Sequence, residues 1–181
     1  MLVIITGDNS SGSREVLAAL TKEALDRGCE VFYKGPDDFS FNGFKEFELD
    51  AAMDLASAGS LEGSTVVLDL VVYLLDSMSQ ASVNKFITYL VTTSSQGRLD
   101  VYIKANHIDD VNSRLKSYAN FWVKCTSSSV DFLDLRSGTV SISKESLLKY
   151  GVLLKKSLLL EEPGTYRANP VLDRLARVCS S

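Results

Sequence analysis

The chain has 181 residues, 45% of them hydrophobic, and a formal charge of −4, which suits one domain with one sizeable core. The acidic balance, with a sequence pI near 5.0, excludes a surface that attracts polyanions all over, so any contact with nucleic acid needs a localised basic patch or ring assembly. Three scattered cysteines (Cys29, Cys125 and Cys179) and one histidine, His107, exclude a disulfide framework or a thiolate metal cluster and read as mostly buried, reduced thiols of a cytosolic protein.

The chain opens on a buried-type strand, Leu2–Thr6, followed by a small-residue loop and a helix over Glu15–Arg27. In that helix Val16, Leu17, Leu20 and Ala24 recur at three- and four-residue spacing, and Gly28 stops it with a left-handed cap. A strand over Glu30–Lys34 leads into Gly35–Gly43, which reads as a loop, and then a helical pattern over Leu49–Ala58. Thr65–Leu70 is the next strand. It begins the longest apolar run, Val66–Leu75, which Asp69 interrupts and which falls short of the ~18 apolar residues of a membrane span. The start of the chain also lacks a basic region and a cleavage site, so a soluble, untargeted protein without a membrane partner is expected.

A helix over Ala81–Thr92 presents Val83, Phe86, Ile87, Leu90 and Val91 on one face and ends before Gly97. Asp100–Ala105 is a strand, Asp109–Tyr118 a helix and Asn120–Cys125 a strand with Trp122 in the core. Strand and helix alternating in this way imply a parallel sheet of five core strands with helices on both faces. Thr126–Ser129 is a polar hinge before a hairpin, Val130–Ser143, turning at Ser137-Gly138. The rest, with Pro163, Gly164 and Pro170 before a short helix at Val171–Val178, is an appended arm. Residues 1–126 thus form the core, and 127–181 a hairpin and arm packed on the same domain. Lys144, Lys149, Lys155 and Lys156 read as a solvated face, whereas Leu158–Leu160 suggests subunit association through residues 130–160.

The loop after the first strand carries the most informative pattern. Gly7 and Gly12 stand at the two glycine positions of the phosphate-binding motif G-x-x-x-x-G-K-[ST], but Ser13 occupies the lysine position and Arg14 the hydroxyl position. Such a loop works because backbone N–H groups line a concavity at a helix N-terminus, where the helix dipole adds positive charge. Ser13 cannot neutralise phosphate, Arg14 would repel the metal, and Asp8 adds a carboxylate nearby. Three readings stay open: a turn in which Ser10, Ser11 or Ser13 caps the helix and nothing binds; a weak anion or nucleotide site; and a catalytic site in which Arg14 swings toward phosphate. His107, at the C-terminal edge of a strand, has no acidic or cysteine partner in sequence and reads as a loop or capping residue.

The stretches Val66–Gln80, Asn84–Leu90, Asp100–Asn106 and Asp109–Cys125, in that order and spacing, resemble the core of viral DNA-packaging ATPases of the FtsK–HerA group. In such ATPases a second strand ends in Asp-Glu, the aspartate orienting hydrated magnesium and the glutamate polarising water. Asp69 matches the aspartate, Leu70 replaces the glutamate, and Asp76 lies beyond the strand. Asn106 matches the polar sensor that ends the fourth strand, and Asp110 with Arg114-Leu115-Lys116 matches the stretch before the last core strand, Phe121–Cys125. Met78 and Thr93–Gly97 depart from the family's basic residues.

The resemblance, over roughly residues 1–126, implies an α/β three-layer P-loop NTPase fold of RecA-like strand order, with the first and fourth strands adjacent, plus the C-terminal hairpin. It further implies a catalytically degenerate relative of genome-packaging or DNA-translocating motors. Such a protein would act by assembly with itself or with other virion or motor subunits, in the host cytoplasm or with the virion, with DNA a further partner. ATP and magnesium would bind weakly if at all. Gly7, Asp8, Gly12, Ser13 and Arg14 would form any remaining cofactor site and Asp69 any metal site, with Asp69 and Asn106 catalytic if the protein is active. The alternative is a divergent active ATPase with Arg14 in place of the lysine.

Overall fold

The computed structural model describes residues 1–8, 10–36, 43–46, 54, 59–69, 79–127, 129–135 and 138–143. The helical pattern at 49–58 apart from Asp54, the positions of Asp76 and Met78, and the arm after Ser143 lie outside them. The elements are β1 (Leu2–Thr6), α1 (Ser13–Asp26), β2 (Val31–Lys34), β3 (Phe44–Glu46), β4 (Thr65–Asp69), α2 (Gln80–Ser95), β5 (Asp100–Ala105), α3 (Ser113–Tyr118), β6 (Phe121–Cys125), β7 (Ser129–Asp134) and β8 (Gly138–Ser143). One sheet runs β3-β2-β4-β5-β1-β6-β7-β8. Its first six strands are parallel, and the hairpin β7–β8 continues it antiparallel from β6.

The continuous apolar run of β1 follows from its central place between β5 and β6, which buries all five residues. Alternate side chains go to opposite faces. Leu2 and Ile4 join Val66, Leu68, Val101 and Ile103 under α2, whose stripe Val83, Phe86, Ile87, Leu90 and Val91 is buried there. Val3 and Ile5 join Val67, Tyr102 and Val123 under α1, with Val16, Leu17 and Ala24. Helix, sheet and helix make three layers, and the first strand lies beside the fourth of the anticipated five, as expected. Trp122 is half-buried against the α2 side, and its indole N–H donates to Thr6 Oγ1 at 2.9 Å.

The structure adds to the expected pattern. A sixth parallel strand, β3, pairs with β2 at the sheet edge, and its Phe44 ring stacks on Tyr33 at 5.0 Å. Three residues next to an irregular loop carry too little periodicity to announce a strand. The stretch 109–118, read as one helix, is a 3-10 turn (Ile108–Asp110) followed by α3. The break comes from Asn112, whose side chain caps α3 by accepting from Arg114 N at 2.9 Å. No helix among the described residues is long and apolar enough to cross a membrane.

Two buried groups make the fold sensitive to base. Burial, then the nearby Glu15 carboxylate, push the Cys125 thiol up to about 12 from an ordinary 9.0, and burial likewise raises Tyr102. Both are neutral when folded and ionise more readily when unfolded, so their contribution is complete below about pH 9 and is lost as pH rises toward 12. Denaturant melts at stepped pH should show stability falling above pH 9, with the fall reduced in Cys125→Ala.

Candidate functional site

The loop between β1 and α1 lies at the C-terminal ends of the parallel strands, where open α/β sheets bind ligands. It is tied to the sheet by Gly7 N donating to Ala105 O at 3.2 Å. Gly7 has φ +145°, and a Cβ there would stand 2.3 Å from Ser11 Oγ and 2.7 Å from Cys125 O, so only glycine lets the loop sit this close to β6. Gly12, with φ 86°, occupies the N-cap position of α1 in the left-handed conformation. These are the two glycine positions of the motif, and both are used as the motif uses them.

The loop is closed by its own serines. Ser13 Oγ donates to Gly7 O and Asp8 O, each at 3.0 Å, and Ser11 Oγ donates to Asp8 O at 2.6 Å. The Asp8 carboxylate accepts from Ser10 N at 2.9 Å and Ser10 Oγ at 2.7 Å. No side chain caps the helix from the N-cap position. The hydroxyls of Ser11 and Ser13 thus brace the turn through its carbonyls, and the positive end of the α1 dipole faces the concavity.

Beneath the first turn of α1 lies a group of charges. Asp69 ends β4 and is 0% exposed. Arg14 Nε lies 3.8 Å from Asp69 Oδ2, and Lys104 Nζ lies 3.5 Å from Asp69 Oδ1. Lys104 is itself 0% exposed, in register with Ile5 of β1 and Asp69 of β4. Next to Arg14, Glu15 turns one carboxylate oxygen into the interior, near enough to Cys125 to raise its thiol. Gly35, after β2, completes the packing: a Cβ there would stand 2.6 Å from Asp69 Cβ.

The structure therefore gathers Gly7, Asp8, Gly12, Ser13, Arg14 and Asp69 in one place. Arg14 is turned onto Asp69. Asn106 is half-buried directly after β5, and the exposed His107 begins the next turn, its backbone N–H donating to Asp110 Oδ2 at 3.0 Å. Arg114 contacts Thr88 Oγ1 of α2 at 3.0 Å, a link between helices. Sequence reasoning missed Lys104 and Gly35. The signal for Lys104 was present, a lysine in the middle of the apolar strand Val101-Tyr-Ile-Lys-Ala105.

These residues do not fit a magnesium ion. The Ser13 hydroxyl donates to carbonyls, the next side chain is a guanidinium, and Asp69 already faces two cations. Among the described residues no group of three or more His, Cys, Asp or Glu side chains is placed to hold a metal. Removing the carboxylate as Asp69→Asn leaves the fully buried Lys104 without its countercharge and should lower stability by about 3–5 kcal/mol, measured by denaturant unfolding. A carboxylate kept only for magnesium would give a neutral or stabilising substitution.

No protein-family model matches the sequence, and no curated protein matches it. Among solved structures, the chain is similar to the N-terminal domain of zonular occludens toxin from Neisseria meningitidis (TM-score 0.58, 14% identity, covering 82% of this chain and 96% of that one). It is also similar to the genome-packaging NTPase B204 of Sulfolobus turreted icosahedral virus 2 in complex with AMPPCP (TM-score 0.59, 8% identity, 77% and 95% covered). The Type VII secretion ATPase EccC of Thermomonospora curvata matches over 78% of this chain and 23% of its own cytoplasmic domain (TM-score 0.54, 15% identity). Strand order, the glycine-bounded turn into α1 and these neighbours together identify the architecture of the chain as the P-loop NTPase fold.

Proposed function

We propose that the chain is a non-hydrolysing protein of the P-loop fold, related to viral genome-packaging and DNA-translocating motors, that acts by assembling with copies of itself or with other motor or virion subunits. The observation that carries this reading is Asp69, the carboxylate at the position that would orient magnesium, shut from solvent between Arg14 and Lys104. Hydrolysis in this fold depends on a metal that bridges phosphate oxygens, a loop lysine and a base that polarises water. Leucine follows Asp69 where the base would stand, and serine stands at the lysine position.

The neighbours support the kind of machine. One is a DNA-packaging ATPase from Sulfolobus turreted icosahedral virus, similar at 11% identity over 77% of this chain, and another was solved with ATPγS. Fold likeness supports the class of partner by analogy alone, and the residues at the site support the absence of hydrolysis. The chain works in this reading in the host cytoplasm or on the virion, alongside DNA, with ATP at most a weakly held ligand. An active enzyme built on Arg14 would need that side chain to leave Asp69 and the carboxylate to open to solvent.

Phosphate release from ATP with magnesium, with and without double-stranded DNA, should stay at the background of a no-protein control, while sedimentation shows association as concentration rises. Turnover that disappears in Asp69→Asn protein of intact fold would overturn the proposal.

A further inference from the structure

Among the described residues, Arg14, Lys22, Arg27, Lys45, Arg98 and Lys104 each face a carboxylate. The helices α2 and α3 break that pattern. Neither contains an acidic residue, although the chain as a whole carries a formal charge of −4. Lys85 of α2 and Arg114 of α3 are exposed, and neither has a carboxylate partner among the described residues. The Arg114 guanidinium instead donates to Thr88 Oγ1 at 3.0 Å. That contact holds it at the rim of a groove of about 490 Å³ on α2, lined by Asn84, Lys85, Thr88, Tyr89, Thr92 and Thr93. A lysine stem, a tyrosine ring and threonine methyls make the lining mostly apolar. Tyr118, four residues after Arg114 and so on the same side of α3, is 56% exposed.

We infer that the face formed by α2 and α3 docks an acidic peptide segment of a partner protein, with Lys85 and Arg114 pairing its carboxylates and one bulky apolar side chain seated in the groove. Charge decides the kind of partner. A nucleic-acid backbone presents a phosphate at every step and is held by rows of cations, whereas here two cations flank an apolar groove. An acidic protein segment matches both features, and the groove is of the size that bound groups fill. Tyrosine and arginine, which stand at its edge, are residue types on which interfaces concentrate their binding energy. The inference rests on the proposed function for the idea of a partner subunit, and deepens it by naming the surface and the chemistry of what binds there.

The test is fluorescence anisotropy of a labelled peptide, glutamates around one central phenylalanine, titrated with the full chain. Wild type should bind it, more weakly as salt rises. The double substitution Lys85→Glu/Arg114→Glu, confined to exposed side chains, should weaken binding by at least about tenfold, the worth of two exposed ion pairs. Thr92→Trp, which fills the groove without altering charge, should weaken it comparably. Lys124→Glu, which reverses an exposed cation on β6, should leave it unchanged. No binding at millimolar peptide, or unchanged binding in the double variant or in Thr92→Trp, would overturn the inference. A loss in Lys124→Glu equal to that of the double variant would overturn it too. So would double-stranded DNA that competes the peptide away, which would give the face to nucleic acid, or self-association that the double substitution abolishes, which would give it to a second copy. Absence of peptide binding together with absence of ATP turnover overturns this inference alone, whereas turnover overturns the proposed function.

Discussion

A carboxylate sealed at the end of a central strand must be matched by positive charge, because an uncompensated buried ion costs several kcal/mol. In a working phosphate-loop enzyme that match comes from outside, as hydrated magnesium delivered with the nucleotide. Here it is part of the chain. Asp69 of β4 faces Lys104 of the neighbouring β5 and Arg14 of α1, so the same three residues join two strands and the helix above them.

The shape of the cradle rests on other residues than these. The bend depends on glycine at 7 and 12, on the hydroxyls of Ser11 and Ser13 reaching back to carbonyls, and on the packing of Gly7 against Cys125. None of these needs phosphate, lysine or metal. Shape and charge are carried by different residues, so the bend holds with serine at the lysine position of the motif and arginine at the hydroxyl position. Serine at position 13 braces the inside of the loop, and arginine at position 14 stands 3.8 Å from Asp69.

The layers were legible because burial on both faces forces continuous apolar strands, and burial on one face forces a helical stripe; Leu2–Thr6 and Val83–Val91 show each rule plainly. The hairpin was legible within Val130–Ser143, although Gly138, read as part of the turn, pairs with Asp134 at the start of β8. β3 was not, since a three-residue edge strand is set by pairing with β2 and by the stacking of Phe44 on Tyr33, neither of which leaves a local period. The break before α3 was hidden because Val111 and Leu115 keep helical spacing across it, both being buried under α2. At the site, the motif pointed to Gly7, Gly12, Ser13 and Arg14, and Asp69 came from the resemblance of its strand to the Asp-Glu strand of such ATPases. Lys104 escaped because its role is fixed across strands, by register with Asp69, and nothing within its own segment names the partner.

The account turns on whether this carboxylate can still take a divalent cation. Electron paramagnetic resonance of manganese, used in place of magnesium and titrated with protein in the presence of ATP, reads that directly. The signal should match that of manganese and ATP without protein at every protein concentration. Progressive loss of that signal, abolished by Asp69→Asn in protein that remains folded, would show a functioning metal site and contradict the account.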